Sequence, residues 1–306
     1  LFAYIVKRLL QVIPTLIGVS ILTFFLIHAV PGDPARMIAG PEASAEEVAE
    51  VREHLGLDQP LYVQYGKYVS NLLKGDLGVS LRSERPVLDE IMGRFPSTIT
   101  LTVMAIAVMV VIGLFAGIFS ATRPNSLIDN VTMMVSLFGI SLPVFWLGLM
   151  LILLFSYYLN LLPSGGNDGF SHFILPALAL GLSSSAILAR LTRSSMLEVI
   201  NQDFVRTARA KGVKEKLVVY KHTLKNALIP IVTIIGLEFG TLLGGAVLTE
   251  TVFSINGLGR FIIQSIQFRD YPSIQGSILF VAAIFVIVNL LVDLCYGLVD
   301  PRVKYE

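Results

Sequence analysis

One cysteine, Cys295, is all the sequence holds, and it lies in an apolar run. No disulfide can close within the chain, and a cysteine-rich metal site is excluded. The four histidines, His28, His54, His172 and His222, are scattered without ligand spacing, so no metal site is expected. Charged residues make up only 15% of the chain, with a net charge of +1, and no nucleic-acid partner is expected. No G-x-x-x-x-G-K-[ST] loop occurs, so the chain does not bind ATP in that way. Gly257-Leu258-Gly259 lacks the third glycine of a dinucleotide fingerprint. Neither H-E-x-x-H nor G-x-S-x-G is present, which leaves a protease or esterase reading without a metal or a nucleophile. No catalytic residue is expected.

What the sequence has in abundance is apolar length. Apolar residues reach 54%, and the mean hydropathy is +0.74. A soluble core of this size needs less apolar surface, whereas a bundle facing lipid needs that much. Six stretches can each cross a hydrocarbon layer, which takes about 20 helical residues: Leu9–Val30, Ile99–Ala121, Val131–Tyr157, Phe173–Leu191, Ile229–Phe253 and Ile278–Val299. Open strands would leave backbone groups unpaired in lipid, so the fold class is an all-α membrane protein with six transmembrane helices. The first stretch is longer than the roughly 7–15 residues of a signal-peptide core and lacks a small-x-small cleavage site, so it reads as a retained anchor. The sequence opens on Leu1 in place of Met and is expected to lack a residue or more at its start.

Lys and Arg set the orientation. With the N-terminus inside, Lys7, Arg8, Arg123, the Arg190–Lys225 loop, Arg302 and Lys304 are cytoplasmic. That loop carries nine Lys and Arg against three acids. The loop Tyr158–His172 has neither Lys nor Arg, and Ser254–Ser277 has only Arg260 and Arg269; both lie outside. The outer loop Pro31–Ser97 holds seven bases, but it is too long for the rule and its eleven acids outnumber them. The organisation expected is an anchor helix at 1–30, an extracytoplasmic helical loop at 31–98, and a core bundle at 99–299. The bundle encloses a cytoplasmic loop at 192–228, and a cytoplasmic tail follows at 300–306.

Two loops are long enough to fold. In the outer one, Ser44-Ala45-Glu46-Glu47 forms a capping box opening a helix that Gly56 ends. Pro60 starts a second helix, and Pro86–Met92 a third short one. These amphipathic caps lie on the membrane surface or on a partner. In the inner loop, Asp203–Lys211 is a short basic helix that Gly212 breaks, and Lys214–Asn226 runs toward Pro230 in the first turn of the next span. Small residues Ala208, Ala210 and Gly212 leave a shallow face that another protein could approach. A generic positive-inside loop explains the basic residues equally well.

Within the spans, Gly236, Gly240 and Gly244 recur every fourth residue, as do Gly113 and Gly117, and such stripes let helices pack closely in lipid. Pro143 and Pro176 bend or start their helices. Glu238, Glu250 and Asp293 are the ionisable groups placed in spans, where a charge must face protein or water. Glu238 and Glu250 are therefore candidate pathway or gate residues. Against a proton relay, no Lys or Arg sits opposite, and Asn289 one turn from Asp293 offers a simple hydrogen bond.

Ile13-Pro14-Thr15-Leu16, Val30-Pro31-Gly32-Asp33-Pro34, Leu55-Gly56-Leu57-Asp58-Gln59-Pro60 and Gly75-Asp76-Leu77-Gly78-Val79-Ser80, taken in order with the motifs that follow, resemble the first permease subunit of the dipeptide and oligopeptide ABC importers, of glutathione and nickel type, within the type I importer superfamily. Asp203-Phe204-Val205-Arg206-Thr207-Ala208-Arg209-Ala210-Lys211-Gly212, then His222 and Asn226-Ala227-Leu228-Ile229-Pro230, resembles the peptide-importer form of the EAA loop, the cytoplasmic coupling helix. Thr249-Glu250-Thr251-Val252-Phe253, Gly257-Leu258-Gly259-Arg260, Arg269-Asp270-Tyr271-Pro272 and Asp300-Pro301-Arg302 complete the pattern. The general superfamily loop has Glu where this chain has Arg206 and Pro where it has Lys225, departures that peptide-type members share.

The resemblance implies a type I importer permease fold in a bacterial inner membrane, with N- and C-termini cytoplasmic and membrane lipid around it. It implies a homologous second permease as heterodimer partner, two ATPase subunits that hold ATP and Mg, and an extracytoplasmic substrate-binding protein. Asp203, Arg206, Thr207, Ala208, Arg209, Ala210, Lys211, Gly212 and His222 would then couple to the ATPases, and the spans would alternate access. A secondary transporter or channel would need an ion site or inverted repeats, neither of which is evident; a sensor or scaffold subunit is the third reading. Dipeptides, longer peptides, glutathione-like peptides and nickel chelates all remain open as cargo.

Overall fold

Among the described residues the apolar runs are helical, as lipid requires where no closed sheet forms. The computed structural model describes the backbone of residues 2–29, 34–40 and 42–299, in which one isolated bridge between Val79 and Pro86 is the only extended pairing. Residues 30–33 and 300–306 lie outside the described residues, as do the side chains of Lys7, Arg8, Asp293 and Cys295. In order, the helices are α1 (Phe2–Ala29), α2 (Pro34–Ala39), α3 (Ala45–Leu55), α4 (Leu61–Leu73), α5 (Val87–Thr122), α6 (Leu127–Ser141) and α7 (Val144–Leu151). There follow α8 (Ser171–Ile200), α9 (Asp203–Ala210), α10 (Glu215–Leu217), α11 (Lys225–Val252), α12 (Leu258–Gln267) and α13 (Tyr271–Val299). Two π-helical stretches extend this scheme: Ile152–Tyr158 continues α7, and Val218–Leu224 joins α10 to α11.

Among the described residues, α5, α8, the helical stretch Glu215–Gly244 and Tyr271–Val292 of α13 are each long and apolar enough to cross a membrane. The described apolar part of α1 is Leu10–Phe25. The third expected span, Val131–Tyr157, is not one helix. α6 and the α7 stretch meet at a bend of 101°. Pro143 causes it: a proline disfavours the α conformation of the residue before it, and Leu142 is extended at φ −80°, ψ 129°. Two other expectations also change. Pro86–Met92 is no separate helix but the first turns of the 36-residue α5. Pro230 lies inside α11, which the π-helical stretch feeds without a break, so it does not open the span.

The chain divides into two units, residues 1–95 with 261–286, and residues 96–260 with 287–306. In the first, α3 opens on the expected capping box: Ser44 Oγ accepts from the Glu47 N–H, and Glu47 Oε2 accepts from the Ser44 N–H at 2.7 Å. Those bonds hold the exposed Glu47 carboxyl below its ordinary pKa. Tyr65 of α4 meets the Ser20 hydroxyl of α1 at 2.8 Å, and its ring stands edge-on to Phe24. Asp270 is the polar hub of this unit. It accepts from Ser80 Oγ at 2.6 Å, the Leu81 N–H at 3.1 Å and Ser273 Oγ at 2.7 Å, thereby capping α13 and pinning the turn before α5.

The second unit is built on α5, α8 and α11. Leu101, Ala105 and Met109 of α5 are buried, as are Leu175, Leu188 and Met196 of α8 and Ile231 and Ala246 of α11. The glycine stripe of α5 makes this packing close. A Cβ on Gly113 would stand 2.8 Å from Leu188 Cβ, and one on Gly117 would stand 2.5 Å from Thr192 Cβ and 2.7 Å from the Ala189 carbonyl oxygen. From the other side, Gly181 leaves the same room for the Ala105 carbonyl oxygen.

A candidate coupling hairpin and the polar groups of the spans

The basic loop folds as a helical hairpin whose pattern of burial follows from its sequence. In α9, Val205 and Ala208 stand three residues apart on one face and are buried against Val218, with Val199, Ile200 and Val213 around them. The helix ends in a Schellman turn. Gly212 adopts φ +75° and its N–H donates to the Arg209 carbonyl, the Val213 N–H donates to the Ala208 carbonyl, and Val213 packs on Ala208. Arg209 then braces the two arms, donating to both Glu215 carboxylate oxygens, with Nη2 at 2.8 Å and Nε at 3.2 Å.

This geometry revises the expected shallow docking face. Ala208 points into the hairpin, and Gly212 serves the turn. The outward side carries Asp203, Phe204, Arg206, Thr207, Ala210 and Lys211, all exposed. Thr207 Oγ1 donates back to the Asp203 carbonyl, and Arg206 lies 3.9 Å from Asp203 in an exposed pair that contributes little. Sequence reasoning gave no role to Phe204, 47% exposed, or to Leu217 and Tyr220, also exposed on the hairpin. An aromatic side chain on the polar side of an eight-residue basic helix was the available signal, because large rings at protein surfaces mark contact sites.

The hairpin is rooted in the membrane bundle through neighbouring residues. Val218 belongs to its small core, and Val219 belongs to the cluster of Leu188, Met196, Ala227 and Ile231 in the C-terminal half of α8 and the first turns of α11. Val199 packs on both clusters. The root is the π-helical stretch, which carries the half-buried His222, whose carbonyl accepts from Asn226 Nδ2 at 2.6 Å.

The glycines of α11 divide in role. A Cβ on Gly236 would stand 2.3 Å from Val292, so this position packs on α13, and Gly240 is buried. Gly244 is exposed with open space where its Cβ would be. The two acids divide as well. Glu238 is half-buried and accepts from Ser184 Oγ of α8 at 2.9 Å. Nearby on the same two helices, Ile187, Arg190, Leu191, Ser194 and Ile234 line a cleft of about 390 Å³. Glu250 is fully buried. Its carboxylate accepts from Thr98 Oγ1 at 2.6 Å, from the Arg260 N–H at 2.9 Å and from the Gly259 N–H, while Thr98 Oγ1 accepts from the Leu258 N–H. Glu250 therefore caps the first turn of α12 and closes the turn around Gly257.

A buried ion pair of the second unit escaped sequence reasoning altogether. Asp129, in the first turn of α6, pairs with Arg193 of α8. The Ser126-Leu127-Ile128-Asp129 pattern, an N-cap with an acid three residues on, was its signal, and Ser126 Oγ does accept from the Asp129 N–H.

The family model for the binding-protein-dependent transport system inner membrane component matches residues 110–305, and the model for the N-terminal part of such components matches residues 1–102. The dipeptide transport system permease protein DppB of Alkalihalophilus pseudofirmus is 47% identical over 333 residues, with 100% of both chains covered. The glutathione transport system permease protein GsiC of Escherichia coli is 50% identical over 303 residues, with 99% of each covered. Among solved structures, the MetNI methionine ABC transporter in an inward facing conformation has a chain that superposes with TM-score 0.58 at 20% identity. That likeness of fold covers 69% of this chain and 96% of the other.

Proposed function

Because the chain belongs to the family of binding-protein-dependent transport system inner membrane components, we propose that it is one permease subunit of an ATP-driven importer of peptides, dipeptides or glutathione among them. A homologous second permease completes the conduit, two ATPase subunits carry ATP and Mg, and an extracytoplasmic binding protein delivers cargo. The chain sits in the bacterial inner membrane with both termini in the cytoplasm.

The observation that carries the mechanism is the Val218–Val219 step. One of these neighbouring residues is buried in the hairpin and the other in the bundle. Interiors are close-packed, so a displacement of α9 is passed to α8 and α11 and is not absorbed between them. The ATPases engage the outward face of α9 through Phe204, Arg206, Thr207, Ala210 and Lys211. Their closure on ATP shifts the hairpin, and the spans pass to the other access state. Ala208, Arg209 and Gly212 act indirectly here, by fixing the hairpin's shape.

The test is uptake into proteoliposomes holding both permeases, both ATPases and the binding protein. Labelled dipeptide should enter only when ATP and the binding protein are both supplied. Uptake driven by an ion gradient without ATP would place the chain among secondary transporters, and labelling of an engineered α9 cysteine from outside the cell would overturn the orientation.

A further inference from the structure

The cleft of about 390 Å³ between α8 and α11 lies within the second unit and has the size of a small-molecule pocket, roughly 300–1,000 Å³. Ile187, Leu191 and Ser194 follow the three-and-four spacing of one face of α8, and Arg190 lines the cleft at the edge of that face. One turn before Ile187 stands Ser184, the donor to Glu238. One turn before Glu238 on α11 stands Ile234, which lines the cleft again. Glu238 therefore marks one end of the cleft. Ser184 and Glu238 are each the fourteenth residue of their helices, α8 with 30 residues and α11 with 28, so this end lies at mid-span. Transported substrates are held at that depth, near the bilayer midplane.

Two charges of opposite sign are left uncompensated here. Half-buried Glu238 accepts from the neutral Ser184 hydroxyl, and Arg190 is exposed. Neither makes an ion pair among the described residues. Charged groups in a span are costly unless they face protein or water, and such groups mark binding sites. Six residues of α8 separate Ser184 from Arg190, about 9 Å along the axis. A peptide of two or three residues spans about 7–11 Å when extended. Its ammonium and carboxylate compensate both charges and leave no net charge in the membrane.

We propose that this cleft is a membrane-depth binding site for a zwitterionic peptide of two or three residues, resting on the peptide-import reading above. Glu238 takes the ammonium, and the Arg190 guanidinium takes the carboxylate, whose two oxygens match its fork. Ile187, Leu191 and Ile234 give an apolar wall for the side chains. Recognition by two termini at a fixed spacing selects length and leaves sequence free.

The experiment is saturation-transfer NMR on the full permease–ATPase complex in nanodiscs, without the binding protein. The probes are dialanine, N-acetyldialanine, which lacks the ammonium, dialaninamide, which lacks the carboxylate, and hexaalanine, whose extended ends stand about 20 Å apart. Dialanine should bind roughly tenfold more tightly than each of the other three. Glu238→Gln should erase the advantage over N-acetyldialanine and keep that over dialaninamide; Arg190→Gln should do the reverse. Both variants should still assemble by size exclusion. A merely structural role would weaken every probe alike. That result, equal binding of dialanine and its blocked forms, or no transfer from any probe because the second permease fills the cleft, would overturn the site. ATP-dependent dialanine uptake by the wild-type complex with its binding protein separates the two readings. Uptake without terminus-dependent binding removes the site alone, whereas such binding without uptake removes the import reading.

Discussion

The guanidinium of Arg193 grips Asp129 through two parallel hydrogen bonds, Nε to Oδ1 at 2.6 Å and Nη2 to Oδ2 at 2.7 Å. Ser120 Oγ and the Asn125 N–H complete the shell of the carboxylate, whose side chain is 2% exposed. This one cluster ties the α5–α6 turn to α8, seven residues before α8 ends at Ile200 and so close in sequence to the basic hairpin.

Removing one partner of such a pair strands the other. Asp129→Ala should cost about 2–3 kcal/mol, below the value for a wholly buried pair because Arg193 is 26% exposed. The single tryptophan, Trp146 in α7, makes fluorescence-monitored thermal unfolding in detergent a direct measure. A double-mutant cycle with Arg193→Ala should show strong coupling. Additive losses would mean that the pair does not fasten α6 to α8.

The two glycine stripes predict different tolerances. Gly117→Ala places a methyl 2.5 Å from Thr192 Cβ and 2.7 Å from a carbonyl oxygen, neither able to swing away, so a loss of about 1–3 kcal/mol is expected. Gly244→Ala has open space and should leave folding unchanged. Yield of monodisperse protein after detergent extraction checks both. If Gly244→Ala instead lowered assembly with the second permease, the exposed position would be a contact between subunits.

Glu250 is expected to behave as a structural residue. Glu250→Ala leaves Thr98 Oγ1 and the N–H groups of Gly259 and Arg260 without their acceptor, at a cost of about 2–4 kcal/mol. Glu250→Gln keeps one acceptor oxygen and should lose less. Both should lower folded yield in proportion to any fall in uptake. Normal yield combined with altered peptide selectivity would return Glu250 to the transport pathway.

How far these features could be read from sequence depends on the range of the forces involved. The Ser44 capping box and the φ +65° cap at Gly56 are local chemistry, and both stand where their residue types demand. Spans were legible because hydropathy acts over about 20 residues. The 101° break was less so: Pro143 announced a disturbance, but its size depends on what packs on either side. The pairing of Asp129 with Arg193, 64 residues apart, and of Thr98 with Glu250, 152 apart, left only faint local signals. The Asp203–Gly212 motif was visible as a string of residues. Which of its side chains face outward was not, because Ala208 is buried by Val218, ten residues on in the second arm.

That division of faces gives the sharpest prediction. Phe204→Ala removes an exposed ring and leaves the hairpin core of Val205, Ala208 and Val218 intact. Folding should be unaffected, while ATP-driven uptake falls roughly tenfold or more, the usual scale for truncating a large aromatic contact. ATP hydrolysis by the complex should lose its stimulation by the binding protein. Ala208→Asp should act by another route, placing an unpaired carboxylate against Val218 and collapsing the hairpin, so that protease cuts α9 before any ATPase is added. Gly212→Val forces a β-branched residue to φ +75° and should resemble Ala208→Asp in protease sensitivity. Unchanged coupling in Phe204→Ala would mean that the motor does not press on this side of α9. The force would then enter elsewhere on the hairpin, with exposed Leu217 and Tyr220 the next surface to truncate.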